Sequence, residues 1–452
     1  MGYLEAQMIE HDNVIKLPKN LNSKNFDDEF IHDVNTFLLS SACQCAEVKL
    51  DLTGTTWMDL LEAACLPVAA EWIKKETDGV CDPKFLFRLP HKFDKASIGN
   101  KTGVRKSNDF YFHFLSWWRV LDTLFDTQFK IDCLLDKDEY VSYDEINNLL
   151  KMESDQISPK FMEYITWLKK EWLKQLDINK KGGSLRLLPL TEVLEKNSIS
   201  DSVARLKKRL EKVKWMGEDE RGTMCDSIIY ELCENIIDHA YKPKDPLPKT
   251  GLMAVRLLAD PTGEGEIINR RINPSRVKKL MTYRIESVPE RYKDFFVRNR
   301  YSGFFEIVVV DGGRGIIADL ASLYAKEKGH EGTESEIIDY AFEEGVTRRD
   351  KQITPTAGKS LSLLKKKVMN WGKSREDIPN WGGLLEVRSI HGRITYLPGK
   401  DPIRTNDLLK FPGVQYRILL PTREQESQAK RKKEIDTLIG LEKRDQQYGL
   451  FT

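Results

Sequence analysis

The sequence predicts an α/β protein of more than one domain. Three observations carry this. The chain has 452 residues, more than one hydrophobic core usually serves. Strand-like and helix-like periodicities alternate in two stretches, before about residue 90 and again from 222 to 421. Between them, residues 106–215 carry few strand signals. Hydrophobic residues make up 40% and charged residues 31%, so a packed core can offset chain entropy.

In the first stretch, NVIKLP and FLFRLP read as short strands, and AEVKLDLTG alternates Val48, Leu50 and Leu52 before stopping at Gly54. FDDEFIHDVNTFLLSS places Phe30, Ile31, Val34, Phe37 and Leu38 on one helical face, and TWMDLLEAACLPVAAEWIKKE reads as a second helix. These alternations predict a small α/β domain over 1–105. FYFHFLSWWRVLDTLF, KFMEYITWLKKEWLKQL and DSVARLKKRLEKVKW predict a helical connector over 106–215, with its tryptophans in packing roles. The last of these spans barely two heptads, a short seam on which a homodimer contact could form.

From 222 onward the expected elements are a helix at 224–241, strands at 251–258 and 303–310, helices near 334–344 and 358–370, and closing strands near 383–390, 392–397 and 414–420. A charged helical tail over 422–452 follows.

Lys plus Arg is 71 against 70 for Asp plus Glu, which excludes a uniformly polyanion-binding surface but not a local basic patch. No window approaches 18 uncharged apolar residues, so no membrane-spanning helix is expected. MGYLEAQMIEHDN lacks the apolar core of a secretory leader, and the seven cysteines are an odd number, so a reducing cytoplasmic location is expected.

Chemistry concentrates in three segments. In IIYELCENIIDHAY, Glu231, Asn235 and His239 stand a turn apart on the polar face, with Glu234 and Asp238 beside them. A carboxylate and an amide oxygen at that spacing suit a hydrated Mg²⁺ and a water; a solvated helix face is the plain alternative. In FFEIVVVDGGRGI, an apolar run ends at Asp311 and passes into glycines, a pattern that builds a pocket or simply a turn. Gly358 and Lys359 precede a helix whose N-terminus can receive phosphate oxygens.

In this order, the segments resemble the GHKL ATPase superfamily of gyrase, MutL-type repair proteins, sensor histidine kinases and anti-sigma-factor serine kinases. The resemblance covers roughly 216–421. Glu231, Asn235 and His239 match its N box, and Asp311, Gly313 and Gly315 its Asp-x-Gly-x-Gly box. It implies a Bergerat-type α/β sandwich: a mixed sheet with helices on one face and ATP held between helices and lid. Asn235 would coordinate Mg²⁺, with Asp238 and His239 counted among the cofactor-binding residues, and Glu231 would act on the attacking water or hydroxyl. Asp311 would accept the adenine amino group, Gly313 and Gly315 would line base and ribose, and Gly358 and Lys359 would meet the phosphates. Residues 316–357 would be the lid. Two positions depart from the pattern: Ser360 replaces a glycine of the second glycine box, and Val414 a threonine after Gly413.

KLDLTGTTWMDLLEAA resembles a STAS domain through Asp51, Thr53, Gly54 and Asp59, but Leu60 and Leu61 stand where the phosphorylatable serine would be. The resemblance implies a docking or regulatory module that binds a protein partner. No histidine lies between His113 and His239, which argues against a self-phosphorylating histidine kinase.

The expected function is therefore a Mg-ATP-binding regulatory ATPase whose nucleotide state switches a partner surface; bacterial signalling and phage defence both suit it. A Ser/Thr kinase of the anti-sigma-factor type and a non-catalytic nucleotide-binding scaffold are the alternatives. A long insertion, 242–302, is rich in basic residues (Arg270, Arg271, Lys278, Lys279 and Arg291 among them) interleaved with Tyr292, Phe295 and Phe296. It raises nucleic-acid binding as a further option, against the preferred reading of a solvated charged insertion.

Overall fold

A computed structural model describes residues 13–40, 46–55, 57–88, 129–136, 139–153, 156–167, 188–189, 199–211, 218–240, 251–258, 288–346, 360–372, 382–422 and parts of 429–437. These residues form a mixed α/β molecule with two main sheets, each in a unit of its own helices.

The first unit opens with β1 (Val14–Lys16) and β2 (Asn20–Leu21). Asn22 then caps the helix α1, its Oδ1 accepting the N–H groups of Lys24 (3.0 Å) and Asn25 (3.1 Å). That helix runs through Ser23–Asn25, a π-helical Phe26–Ile31, and His32–Leu39. There follow β3 (Glu47–Asp51), β4 (Trp57–Met58), α2 (Leu60–Glu76), β5 (Asp82–Arg88), β6 (Lys130–Asp136) and β7 (Glu139–Ser142). The helices α3 (Tyr143–Lys151) and α4 (Pro159–Trp167) follow. The sheet order is β1-β3-β5-β6-β7, parallel except for β7.

The expected helical connector is corrected here. Residues 130–142 are two strands of the first sheet, because Ile131, Cys133 and Val141 are buried at alternating positions and share the core of α1 and α2. The segments 110–125 and 168–176, read as helical, lie outside the described residues.

The second sheet is built from β8 (Leu188–Pro189), β9 (Gly251–Leu258), β10 (Phe304–Asp311), β11 (Leu384–Ile390), β12 (Gly392–Tyr396), β13 (Ile403–Thr405) and β14 (Phe411–Pro421). Its order is β13-β12-β11-β14-β10-β9-β8. Every pair is antiparallel, not mixed as expected. The reason is that β14 inserts between β10 and β11, which run the same way, and opposes both. The crossover from β10 to β11 carries α8 (Gly315–Lys328), α9 (Glu334–Ala341) and α10 (Ser360–Met369). They share one core with α5 (Ile199–Leu210) and α6, which runs through Glu218–Gly222, a π-helical Thr223–Ile229 and Tyr230–Ala240. This unit therefore begins before 216, since β8 and Val203 of α5 already belong to it.

Both faces of the second sheet are covered, where helices on one face were expected. Phe305, Ile307 and Val309 point into the core with α6 and α8–α10. Val308 and Val310, with Leu252, Ala254 and Phe411, share a core with α1 and α2. That double burial explains the unbroken apolar run of β10, which an antiparallel strand with one wet face would not show. It also explains α2, buried on nearly every side from Leu60 to Ile73.

Charged groups line the seam between α1 and the second sheet. Asp27 bonds Arg388 and Arg393, and Arg417 reaches Ser23 Oγ (2.6 Å) and Glu306 (2.7 Å). Burial works to raise the Asp27 carboxyl, but Arg388 and Arg393 outweigh it and hold it below its ordinary value.

The basic insertion is corrected as well. Its residues 251–258 are the interior strand β9, and α7 (Glu290–Arg298) buries Tyr292, Phe295 and Phe296 against Phe304, Leu384 and Leu419. Arg291 and Tyr292 both bond the buried Glu386, the tyrosine at 2.5 Å. These aromatics are core, not a base-stacking platform; residues 259–287 lie outside the described residues.

Candidate functional site

Along α6, Cys225, Ile228 and Ile229 of the π-helical stretch and Leu232 and Cys233 beyond it are buried in the core. Glu231, Glu234 and Asn235 are left at its half-buried edge. Asn235 Nδ2 donates to the carbonyl of Glu231 (2.7 Å) and to Ser360 Oγ (2.7 Å), at the first residue of α10. A backbone carbonyl can only accept, so the amide nitrogen must point that way. The acceptor end, Oδ1, has no partner among the described residues. The structure thus brings Asn235 to the start of the helix that follows Gly358 and Lys359. Those two residues lie outside the described set, as do the side chains of Asp238 and His239.

Asp311 ends β10 on the same face of the sheet as Ile307 and Val309, the face that α6 covers. Its carboxylate accepts the N–H of Gly313 (2.8 Å) and that of Val414. Burial pushes the carboxyl up to about 7, against the pull of those two N–H groups. Tyr416 is fully buried beside it, raised first by burial and then by the Asp311 charge.

Two strands clamp the glycine turn. Ser389 Oγ on β11 accepts the N–H of Ile316 (2.9 Å) at the start of α8. A Cβ on Gly315, at φ +77°, would lie 2.6 Å from that oxygen. Gly413, at φ +75° near the start of β14, passes so close to Asp311 that a Cβ would sit 1.9 Å from its backbone oxygen. Sequence reasoning missed Ser389, and it treated Val414 only as a lost hydroxyl. The contact from that position is made by the backbone N–H, which any residue but proline supplies.

Part of the expected lid is not free to act as one. Residues 315–341 are two helices whose Leu320, Tyr324, Ile337, Ile338 and Tyr340 are buried in the core. Residues 347–357 lie outside the described residues.

The donors present, the Asn235 amide and the helix start at Ser360, are of the kind that can serve Mg²⁺ together with phosphate oxygens. Among the described residues no three His, Cys, Asp or Glu side chains converge on a point. Glu231, one turn before Asn235 on the same helix, is half-buried at that edge.

In the first unit, Asp51 Oδ1 accepts the N–H (2.8 Å) and hydroxyl (2.6 Å) of Thr53, forming the turn before α2. Leu60 and Leu61, at the start of α2, are 2% and 6% exposed, so neither presents its side chain to solvent.

No protein-family model matches this chain, and no curated protein matches it. Among the described residues, no helix is long and apolar enough to cross a membrane.

Proposed function

We propose that the second unit is a GHKL-type ATP-binding domain and that the chain is a regulatory ATPase. The observation that carries the reading is Asn235: both amide hydrogens are used by the protein, and its oxygen is left for a ligand. Support comes from the order of the motifs, and from a buried carboxyl at Asp311 that an exocyclic amine would satisfy.

In this reading Asn235 holds Mg²⁺, which when bound neutralises phosphate charge. Glu231, one turn earlier, orients and deprotonates the attacking water. Asp311 selects the base, Gly313 and Gly315 let backbone approach it, and Gly358 and Lys359 take the phosphates. The state of this site biases how the first unit is held, and so which partner surface is exposed, in a cytoplasmic protein.

The test is Mg-ATP titration with phosphate release. Asn235→Ala should lose Mg-dependent binding, and Asp311→Ala nucleotide binding altogether. Glu231→Ala should bind normally and turn over at least 10²-fold more slowly, in the usual range for a lost general base. Unchanged turnover in that last variant would remove Glu231 from its role. Labelled γ-phosphate appearing on a protein serine or threonine instead of in solution would favour the kinase alternative. Binding without any turnover would favour the scaffold.

A further inference from the structure

We infer that Ser360 is a positioning residue that pre-sets Asn235 as a magnesium ligand; this rests on the nucleotide reading above. The family pattern places a glycine at this position. With glycine, the Asn235 amide would have one anchor, the Glu231 carbonyl, which lies on its own helix. Here the hydroxyl of Ser360 is a second anchor from a different helix, 2.7 Å from the same nitrogen. Two acceptors on one NH₂ group fix the plane of the amide as well as its direction. The plane so fixed presents Oδ1 before any ligand arrives, and the ordering entropy of the side chain is met in folding, not in binding. The departure from the glycine pattern thus works as a clamp that links the two segments of the site.

The experiment uses the full chain and a non-hydrolysable ATP analogue, titrated by calorimetry across Mg²⁺ concentrations and again in excess chelator. Ser360→Ala should need roughly tenfold more Mg²⁺ for half-maximal binding, the usual scale for losing a residue that orients a metal ligand. Its affinity in chelator and its ligand-free melting temperature should match wild type, and Ser360→Thr should restore the Mg²⁺ midpoint. An unchanged midpoint in Ser360→Ala overturns the role of Ser360, as does an equal loss of affinity with and without Mg²⁺. Should the alanine variant not fold, Ser360→Gly carries the same expectation. A wild-type chain that binds no analogue sinks the nucleotide reading, and Ser360 with it; wild-type binding with an indifferent Ser360→Ala sinks the clamp alone.

Discussion

At the scale of single residues, the carboxyl of Asp311 combines burial with only two backbone donors. The fold favours its neutral form, with the group raised from 3.8 to about 7. In the unfolded chain the same group ionises near its ordinary value. Its contribution to stability is therefore full below about pH 4 and is lost as the pH rises through about 7. Glu62, fully buried on α2, behaves alike: burial, assisted by Asp59, raises it to about 7 against the pull of Arg417. Asp311→Asn and Glu62→Gln remove these titrations while keeping shape. Melting temperatures followed from about pH 4 to about pH 8 should show wild type losing ground to each variant as pH rises. A difference that does not vary with pH would contradict the assignment.

At the scale of elements, β14 is where the site is most exposed to error. Gly413 lets the strand pass close to the Asp311 backbone, and Val414 supplies an N–H to the carboxylate. Gly329, which ends α8 at φ +81°, has nothing within 4 Å of where a Cβ would stand. Gly329→Ala should therefore cost only the left-handed strain of about 1–2 kcal/mol. Gly413→Ala adds a clash with backbone and should cost clearly more, while displacing Asp311 and lowering nucleotide affinity. Paired denaturant titrations measure the difference. On the opposite face, α7 locks β11 through Glu386. Burial would raise that carboxyl, but Arg291 and Arg393, with hydrogen bonds from Arg291 and Tyr292, hold it well below the carboxylate range.

At the scale of the whole molecule, the first unit is the back wall of the second sheet. Phe411 at the start of β14 packs against Phe26 of α1 and Trp72 of α2, with ring centroids 5.6 and 6.1 Å away. Asp27 meanwhile compensates two buried arginines across the seam. Arg388, one residue from the Ser389 that holds the glycine turn, thus faces the first unit. Asp27→Ala leaves both arginines buried without it and should cost about 3–5 kcal/mol. Because the loss falls on the seam, thermal unfolding should split toward two transitions, and protease should reach α1 and α2 first. An exposed pair such as Lys74–Asp82 should cost well under about 1 kcal/mol when broken.

The α/β class, the helix that bears Asn235, and the strand that ends at Asp311 were all legible in the residues, because local periodicity of 3.6 or 2 decides which side chains share a face. So were the limits of β9, β10, β11 and β12 to within a residue or two. The strands at 130–142 were not, since apolar residues in so short a run fit a helix or a strand equally well. Nor could the insertion of β14 between β10 and β11 be read, or the burial of α2 and α7. Pairing partners lie from tens to just over a hundred residues apart and are chosen by which faces must leave water together. The same holds for the contact between Asn235 and Ser360: each residue was visible alone, but only the packing of α10 on α6 set one hydroxyl against one amide.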